Sequence, residues 1–594
     1  MPSLTTLPQE IIDLVLPLIN PKDYASCVGV SKEWHTLFTP LLWRDIRVVD
    51  ETINERFKTR EARHALVRNA LHLRTVETTD PALVCCLRSC MPPTINLQSL
   101  TIRFKNHPVS TVTELVISDK VVLRPGPFTG DETRETMDIR RCAGDVIRLL
   151  QDNSDLQHLS LDVDCFRYKD GKEGFPDLVA AIPTAKLEKL ELSFLQSIPF
   201  DREINSVNDV ELDAKKVNQY YLAERAPFFA LKEVVITGGC QNYMDPNLLF
   251  FLMRCPSMET LRLHRLDDKA LQTIPSFIEF SCHKLVNLEW RKSVYDDEDL
   301  IIRLIRSTKL GWKELRLPDL LMFSTGALEA VMEHTETLEV FRFESSDEIR
   351  EDAFLDLLCS ARNLRRLEGI VDRQRKRFTT EVMVHAQAAY SEHVDGGVDR
   401  SWALGPSMEH LQLRIEGVPR PDVVCRLNGS ELMFQQTGLD PTLRFDVQRW
   451  IYTQLSRMTG LEELILGLQD LSIRTMNFAG VDSSMSLVAM EEAALLNGIR
   501  MFNYQSLEFS LESGLGLLAG LKELRMLDVR STAHYIGVAE LEWMHRNWPK
   551  LETIKGLESD RRWSVYHADG PAAKAAVEAW MAAHPRGIGS SFYL

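Results

Sequence analysis

A six-residue apolar pattern, L-x-x-L-x-L, recurs along most of this chain. Its cleanest copies begin at Leu231, Met258, Leu285, Trp312, Leu338 and Leu364, at steps of 27, 27, 27, 26 and 26 residues. Alternation over so short a run reads as a half-buried strand. The stretch between copies, such as DPNLLFFLMR ahead of Cys255-Pro256, has helical spacing. One strand and one helix cannot bury their apolar faces alone, whereas a stack of such units can. Further copies begin at Leu97, Leu156, Leu187, Met408, Leu461, Leu524 and Leu551. The wider gaps place insertions near 105–140, 196–228, 371–407 and 416–447, whose Pro, Gly and charge content suggests loops or partly ordered excursions.

A fixed period in this range resembles the leucine-rich repeat. The resemblance implies an α/β solenoid over 73–566, with a curved parallel sheet on the concave side and helices on the convex side. Residues between the apolar positions face the open side, because strand side chains alternate. In the central copies that column holds Arg262 and His264, Glu289 and Arg291, Arg316, and Arg342 with Glu344. Four arginines on four adjacent strands, ~4.8 Å apart, are a candidate surface for an acidic or phosphorylated target, since guanidinium pairs well with carboxylate and phosphate. The competing reading is ordinary cross-strand pairing with Glu289, Glu314, Glu344 and Glu368. At the far end, the alanine-rich AAKAAVEAWMAAH should be helical. Residues 567–594 then form a cap and tail, with Val577 and Trp580 closing the stack.

The N-terminal stretch carries a different pattern. Residues 4–46 open with Leu7-Pro8-x-Glu10 and a greasy run containing Ile11, Ile12, Leu14, Val15, Leu16 and Leu18. A Pro21-x-Asp23 turn, Val30-x-x-x-Trp34, Leu37 and Leu42-Trp43-Arg44 follow. The first run is apolar on nearly every side of a helix, so it must be buried on every side. A segment this small has little core of its own, and chains below ~40 residues usually need outside help. The segment resembles the F-box, over 1–46, with a helical linker at 47–72. The resemblance implies docking to a Skp-type adaptor and through it to a cullin–RING ubiquitin ligase. Leu7, Pro8, Ile11, Ile12, Val15, Val30, Trp34, Leu37, Leu42 and Trp43 are the candidate adaptor contacts. Pro17 departs from the pattern, because it disfavours helical geometry in the residue before it. An F-box followed by such repeats is similar to a class of ligase substrate receptors, of fungal type in its C-terminal repeats. A ligase-independent scaffold remains the alternative.

Bulk properties narrow the reading. The chain has 594 residues, 44% apolar and 26% charged, the balance of a folded protein. Its formal net charge of −16 argues against general nucleic-acid binding. No run approaches the ~20 apolar residues of a membrane span, and the N-terminus lacks a secretory pattern. Eleven scattered cysteines read as reduced thiols of the cytoplasm or nucleus. Cys85, Cys86 and Cys90 lack a fourth zinc ligand at a suitable spacing, so no metal is expected. Gly514-x-Gly516-x-x-Ala519 would need a preceding strand and a later acidic residue to hold a dinucleotide. It reads as a turn, which leaves a nucleotide-dependent enzyme remote, no cofactor expected and the chain non-catalytic. The basic run Arg373–Arg377 reads as a solvated loop, with a nuclear localisation signal as the alternative.

Overall fold

The structure, a computed structural model, describes residues 16–49, 53, 59–79, 83–84, 87, 97–103, 144–162, 175–194, 227–238, 251–264, 268–291, 298–317, 323–343, 351–369, 383–395, 400–420, 425–427, 430–432, 440–466, 505–530, 532, 534–557 and 570–584. Two compact units divide the chain, Met1–Leu285 and Val286–Leu594.

The first unit carries seven strands: β1 Asp45–Val48, β2 Thr75–Thr78, β3 Ser99–Ile102, β4 His158–Asp162, β5 Lys189–Phe194, β6 Glu233–Gly238 and β7 Thr260–His264. Each pairs in parallel with the next in chain order. The second unit continues with β8 Asn287–Arg291, β9 Glu314–Leu317, β10 Val340–Phe343, β11 Arg366–Gly369, β12 Met383–His385, β13 His410–Gln412, β14 Arg414–Glu416, β15 Cys425–Leu427, β16 Ser430–Leu432, β17 Glu463–Ile465, β18 Met526–Asp528 and β19 Thr553–Lys555. Its main sheet runs β8-β9-β10-β11-β13-β17-β18-β19, again parallel throughout. Fifteen parallel strands in chain order therefore confirm the α/β class.

The register follows the leucines. Leu288, Leu315, Phe341 and Leu367 are opposite one another on β8 to β11, and each is fully buried. Leu261 on β7 is equally buried. The helix Glu298–Arg306 illustrates the other half of a unit. It buries Leu300, Ile301, Leu304 and Ile305 on one face. Glu298 and Asp299 sit in its first turn and Arg303 and Arg306 in its last, the arrangement its dipole favours. Ile305 O, an orphan acceptor at the helix end, receives the Trp312 indole N–H at 2.7 Å and His334 Nε2 at 2.9 Å. His334 must therefore carry its proton on Nε2. Burial lowers its pKa, and the bond to Ile305 opposes that shift.

The sheet begins earlier than the leucine spacing indicates. β1 lies at 45–48, inside the stretch assigned to the end of the F-box and the start of a helical linker, and it pairs with β2. Within the linker a helix spans Arg60–Asn69, followed by a short turn Ala70–His72. Of the four insertions, 105–140 lies outside the described residues, as do residues 196–226 of the second. The described parts of the other two are not bare loops. β12 pairs in parallel with β14, a helix spans Ala386–Asp395, and β15 pairs antiparallel with β16. Sequence period could not reveal these elements, because none repeats. Arg420, fully buried, anchors the chain beyond β14: it lies 3.7 Å from Glu508, donates to Ser506 O at 3.2 Å and stacks over the Tyr535 ring. Glu508 also pairs with Arg444. At the chain's end the helix Gly570–Ala583 buries Val577 and Trp580 and packs on the helix Val538–Asn547.

Two outcomes follow from this core. Leu315→Ala should destabilise the protein by about 2–5 kcal/mol, read from denaturant unfolding, with Leu315→Asp abolishing folding of the unit. For His334, the neutral form is the one the fold holds, so stability is full above the ordinary histidine pKa and falls as pH drops through the lowered one. The melting temperature should therefore fall between pH 7 and pH 5 more steeply than in His334→Gln, which has no proton to gain. Equal slopes would rule the effect out.

Candidate functional site

The described half of the N-terminal segment is a pair of helices. A short turn Pro21–Asp23 leads into Tyr24–Val28, and Gly29-Val30 turns the chain into Lys32–Leu42. Ser31 starts that helix: its hydroxyl accepts the Trp34 amide N–H at 3.2 Å, and its backbone is extended. The two helices pack on each other. Phe38, fully buried, sits between Tyr24 at 5.8 Å and Trp34 at 5.3 Å, ring centre to ring centre. Pro40 stands inside the second helix, which continues past it to Leu42.

One aromatic core residue is not enough to shelter the rest. Val30 is 63% exposed and Leu18 83% exposed. Trp34, Leu37, Leu42 and Trp43 are only partly buried. The structure thus brings the expected contacts Val30, Trp34, Leu37, Leu42 and Trp43 into one small helical unit with apolar surface to spare. Leu7, Pro8, Ile11, Ile12 and Val15 lie outside the described residues. Pro17 falls in a short 3₁₀ turn, Leu16–Leu18.

The second expected surface is the outward strand column. In the first unit, Arg262 is 3.6 Å from Glu233, which also binds Lys189 at 2.9 Å, and His264 Nδ1 lies 3.3 Å from the Thr237 hydroxyl. In the second unit Arg291 binds Glu289 at 2.5 Å, Arg316 pairs with Glu314 on its own strand, and Arg342 is 3.4 Å from Glu368. Every one of the four arginines has an acidic neighbour, across strands for Arg262 and Arg342 and on the same strand for Arg291 and Arg316. Glu344 lies outside the described residues.

Sequence reading overlooked Arg366. It precedes the inward Leu367, so it also faces out, opposite Val340. Its guanidinium is 3.5 Å from the same Glu368 that serves Arg342. The third member around that carboxylate is His410, at 3.9 Å, itself bound to Glu463 at 2.7 Å.

Other chemistry finds no support in the described residues. No group of three or more His, Cys, Asp or Glu among them is placed to hold a metal, and Cys85, Cys86 and Cys90 lie outside them. The run 514–519 forms a left-handed turn at Gly514 and a 3₁₀ helix, Leu515–Gly520, ahead of β18 rather than after a strand. Cys255 and Cys282 are buried core thiols, and burial raises the pKa of both. No described helix is long and apolar enough to cross a membrane. The basic run 373–377 lies outside the described residues.

Comparison with known proteins agrees on the N-terminal segment. The F-box-like family model matches residues 4–48. No curated protein matches the chain. Among solved structures, the crystal structure of the Rad7 and Elc1 complex in yeast is similar at 11% identity, over 94% of this chain and 94% of that one, with a TM-score of 0.33. A likeness that slight carries no argument about function.

The Ser31 cap gives a local test. Ser31→Ala should cost the helix Lys32–Leu42 about 1 kcal/mol, seen as faster amide exchange there with the strand amides unchanged.

Proposed function

We propose that this chain is the substrate-recognition subunit of an SCF-type cullin–RING ubiquitin ligase. The observation that carries the reading is the F-box-like match over residues 4–48, on a helical unit that leaves Leu18 and Val30 bare. In this reading a Skp-type adaptor covers that surface, together with Leu7, Pro8, Ile11 and Ile12. The strand-and-helix units behind it are leucine-rich repeats. The spacing of 27, 27, 26 and 26 residues between the starts of β7, β8, β9, β10 and β11 supports this. The repeats hold a target protein, and the other subunits of the ligase transfer ubiquitin to it. The chain is then a non-catalytic receptor of the cytoplasm or nucleus that works by proximity.

Pull-down of the purified chain with a Skp-type adaptor is the test. Trp34→Ala and Leu42→Ala should each weaken the complex by roughly tenfold or more, as buried anchors do. Trp34 also packs on Phe38 and Leu42 is partly buried, so Val30→Asp is the cleaner variant. Val30 is 63% exposed, so the substitution leaves the core intact while placing a charge in the apolar interface. The reading fails if the intact chain captures no adaptor, or if Val30→Asp, Trp34→Ala and Leu42→Ala all bind like the parent.

A further inference from the structure

The outward face of the second unit is not uniformly open. On β8 Glu289 is only 4% exposed, under Arg291. On β13 His410 and Gln412 are buried, at 7% and 6%. On β17 and β18 the outward Ile465 and Asp528 are buried as well. Between these limits β9, β10 and β11 present their outward residues to solvent in two register rows. Glu314, Val340 and Arg366 are opposite one another in one row, and Arg316, Arg342 and Glu368 in the other. Three strands at ~4.8 Å spacing make a window about 14 Å wide, enough for one extended peptide segment.

The charges inside the window do not balance. Among the described residues of these three strands, three guanidiniums face two carboxylates, in a chain whose formal net charge is −16. Arg316 takes Glu314 for itself. Arg342 and Arg366 must share Glu368, at 3.4 and 3.5 Å, with His410 standing 3.9 Å from the same carboxylate. A well-made guanidinium–carboxylate pair closes to ~2.7–2.9 Å and is often bidentate. Asp528 and Arg530 in this same unit achieve that, with contacts of 2.6 and 3.0 Å. Arg342 does not: its nearest carboxylate oxygen, on Glu368, stands 3.4 Å away. Val340 lies between Glu314 and Arg366 and is partly exposed, which adds an apolar contact at the centre.

We propose that the β9–β11 window receives a carboxylate-rich segment of a target protein, one acidic side chain bridging Arg342 and Arg366 and an apolar neighbour resting on Val340. The proposal rests on the receptor reading only for the word target; the surface itself is defined by the geometry. It also corrects the emphasis of the sequence: Arg366 replaces Arg262 and Arg291 as the partner of Arg342.

The test uses the full-length chain and arrays of degenerate 12-residue peptides. Each set fixes two adjacent positions as Glu-Glu, Gln-Gln, Lys-Lys or phosphoserine pairs, followed by Leu. The parent chain should retain the Glu-Glu set about fivefold better than Gln-Gln, the worth of two partly exposed charge pairs, and the preference should shrink as salt rises. Arg342→Gln with Arg366→Gln should erase it, and Arg342→Glu with Arg366→Glu should turn it toward Lys-Lys. Melting temperatures near the parent's verify that both variants fold. No Glu-Glu preference in the parent overturns the proposal, as does the same preference in both variants. Retention of the phosphoserine set alone overturns the choice of carboxylate. Adaptor pull-down runs in parallel: loss there with peptide selection intact would overturn the receptor reading and leave the window standing.

Discussion

The row of Leu288, Leu315, Phe341 and Leu367 is the constraint on which the second unit depends. Each side chain is fully buried, in a row that the parallel pairing of neighbouring strands holds in register. No single repeat contains enough apolar surface to do this alone. The strands must therefore stay in register, and a slip of one residue would exchange the leucines for the arginines beside them. Everything on the outward face is placed by that inward row. The same logic explains why a polar substitution at Leu315 should act beyond its own strand.

Charge follows register in the same way. One residue ahead of the strands, Lys313, Glu339, Arg365 and Glu409 alternate in sign, with Lys313–Glu339 at 3.9 Å and Glu339–Arg365 at 4.0 Å. Arg365 binds Glu409 directly, and this hydrogen bond raises its pKa. These groups are exposed, so they contribute little stability, but the alternation penalises a wrong pairing of neighbours. The window of β9 to β11 is the place where alternation gives way to two arginines side by side. Arg316 and Arg342 are opposite each other, an arrangement that raises the local potential instead of cancelling it.

Much of this was legible in the chain because the repeat supplies its own control. Six copies at nearly constant spacing fix which residues point inward, and the buried leucines agree. Two kinds of feature were not legible. Elements that occur once, such as β1, the β12–β14 pair and the buried Arg420–Glu508 contact, carry no periodic signal. The outward column was read correctly as to direction but not as to partners. Sequence alone counts Glu289, Glu314 and Glu368 as equivalent neutralisers, whereas the structure buries the first under Arg291, gives the second to Arg316 and divides the third. Arg366 was passed over because it precedes the inward residue rather than following it. Strand alternation puts both neighbours of a leucine on the same face.

The junction between the helical segment and the sheet bears on how a receptor of the proposed kind would work. Only two residues, Trp43 and Arg44, separate the helix Lys32–Leu42 from β1. Arg44 O accepts the amide N–H groups of Arg74 and Thr75 at 2.8 and 3.0 Å. The last residues of the F-box-like match are thus the first strand of the sheet. Within the first unit, then, the helix Lys32–Leu42 leads straight into a paired strand. A tether of even ten Gly-rich residues would let the helix wander by ~15–20 Å. Proximity catalysis gains from a fixed donor–acceptor geometry and loses with each added freedom. An adaptor seated on Val30 and Trp34 would inherit the orientation of β1 and β2 directly, through the pair Ile46 and Val76, both buried where those strands meet.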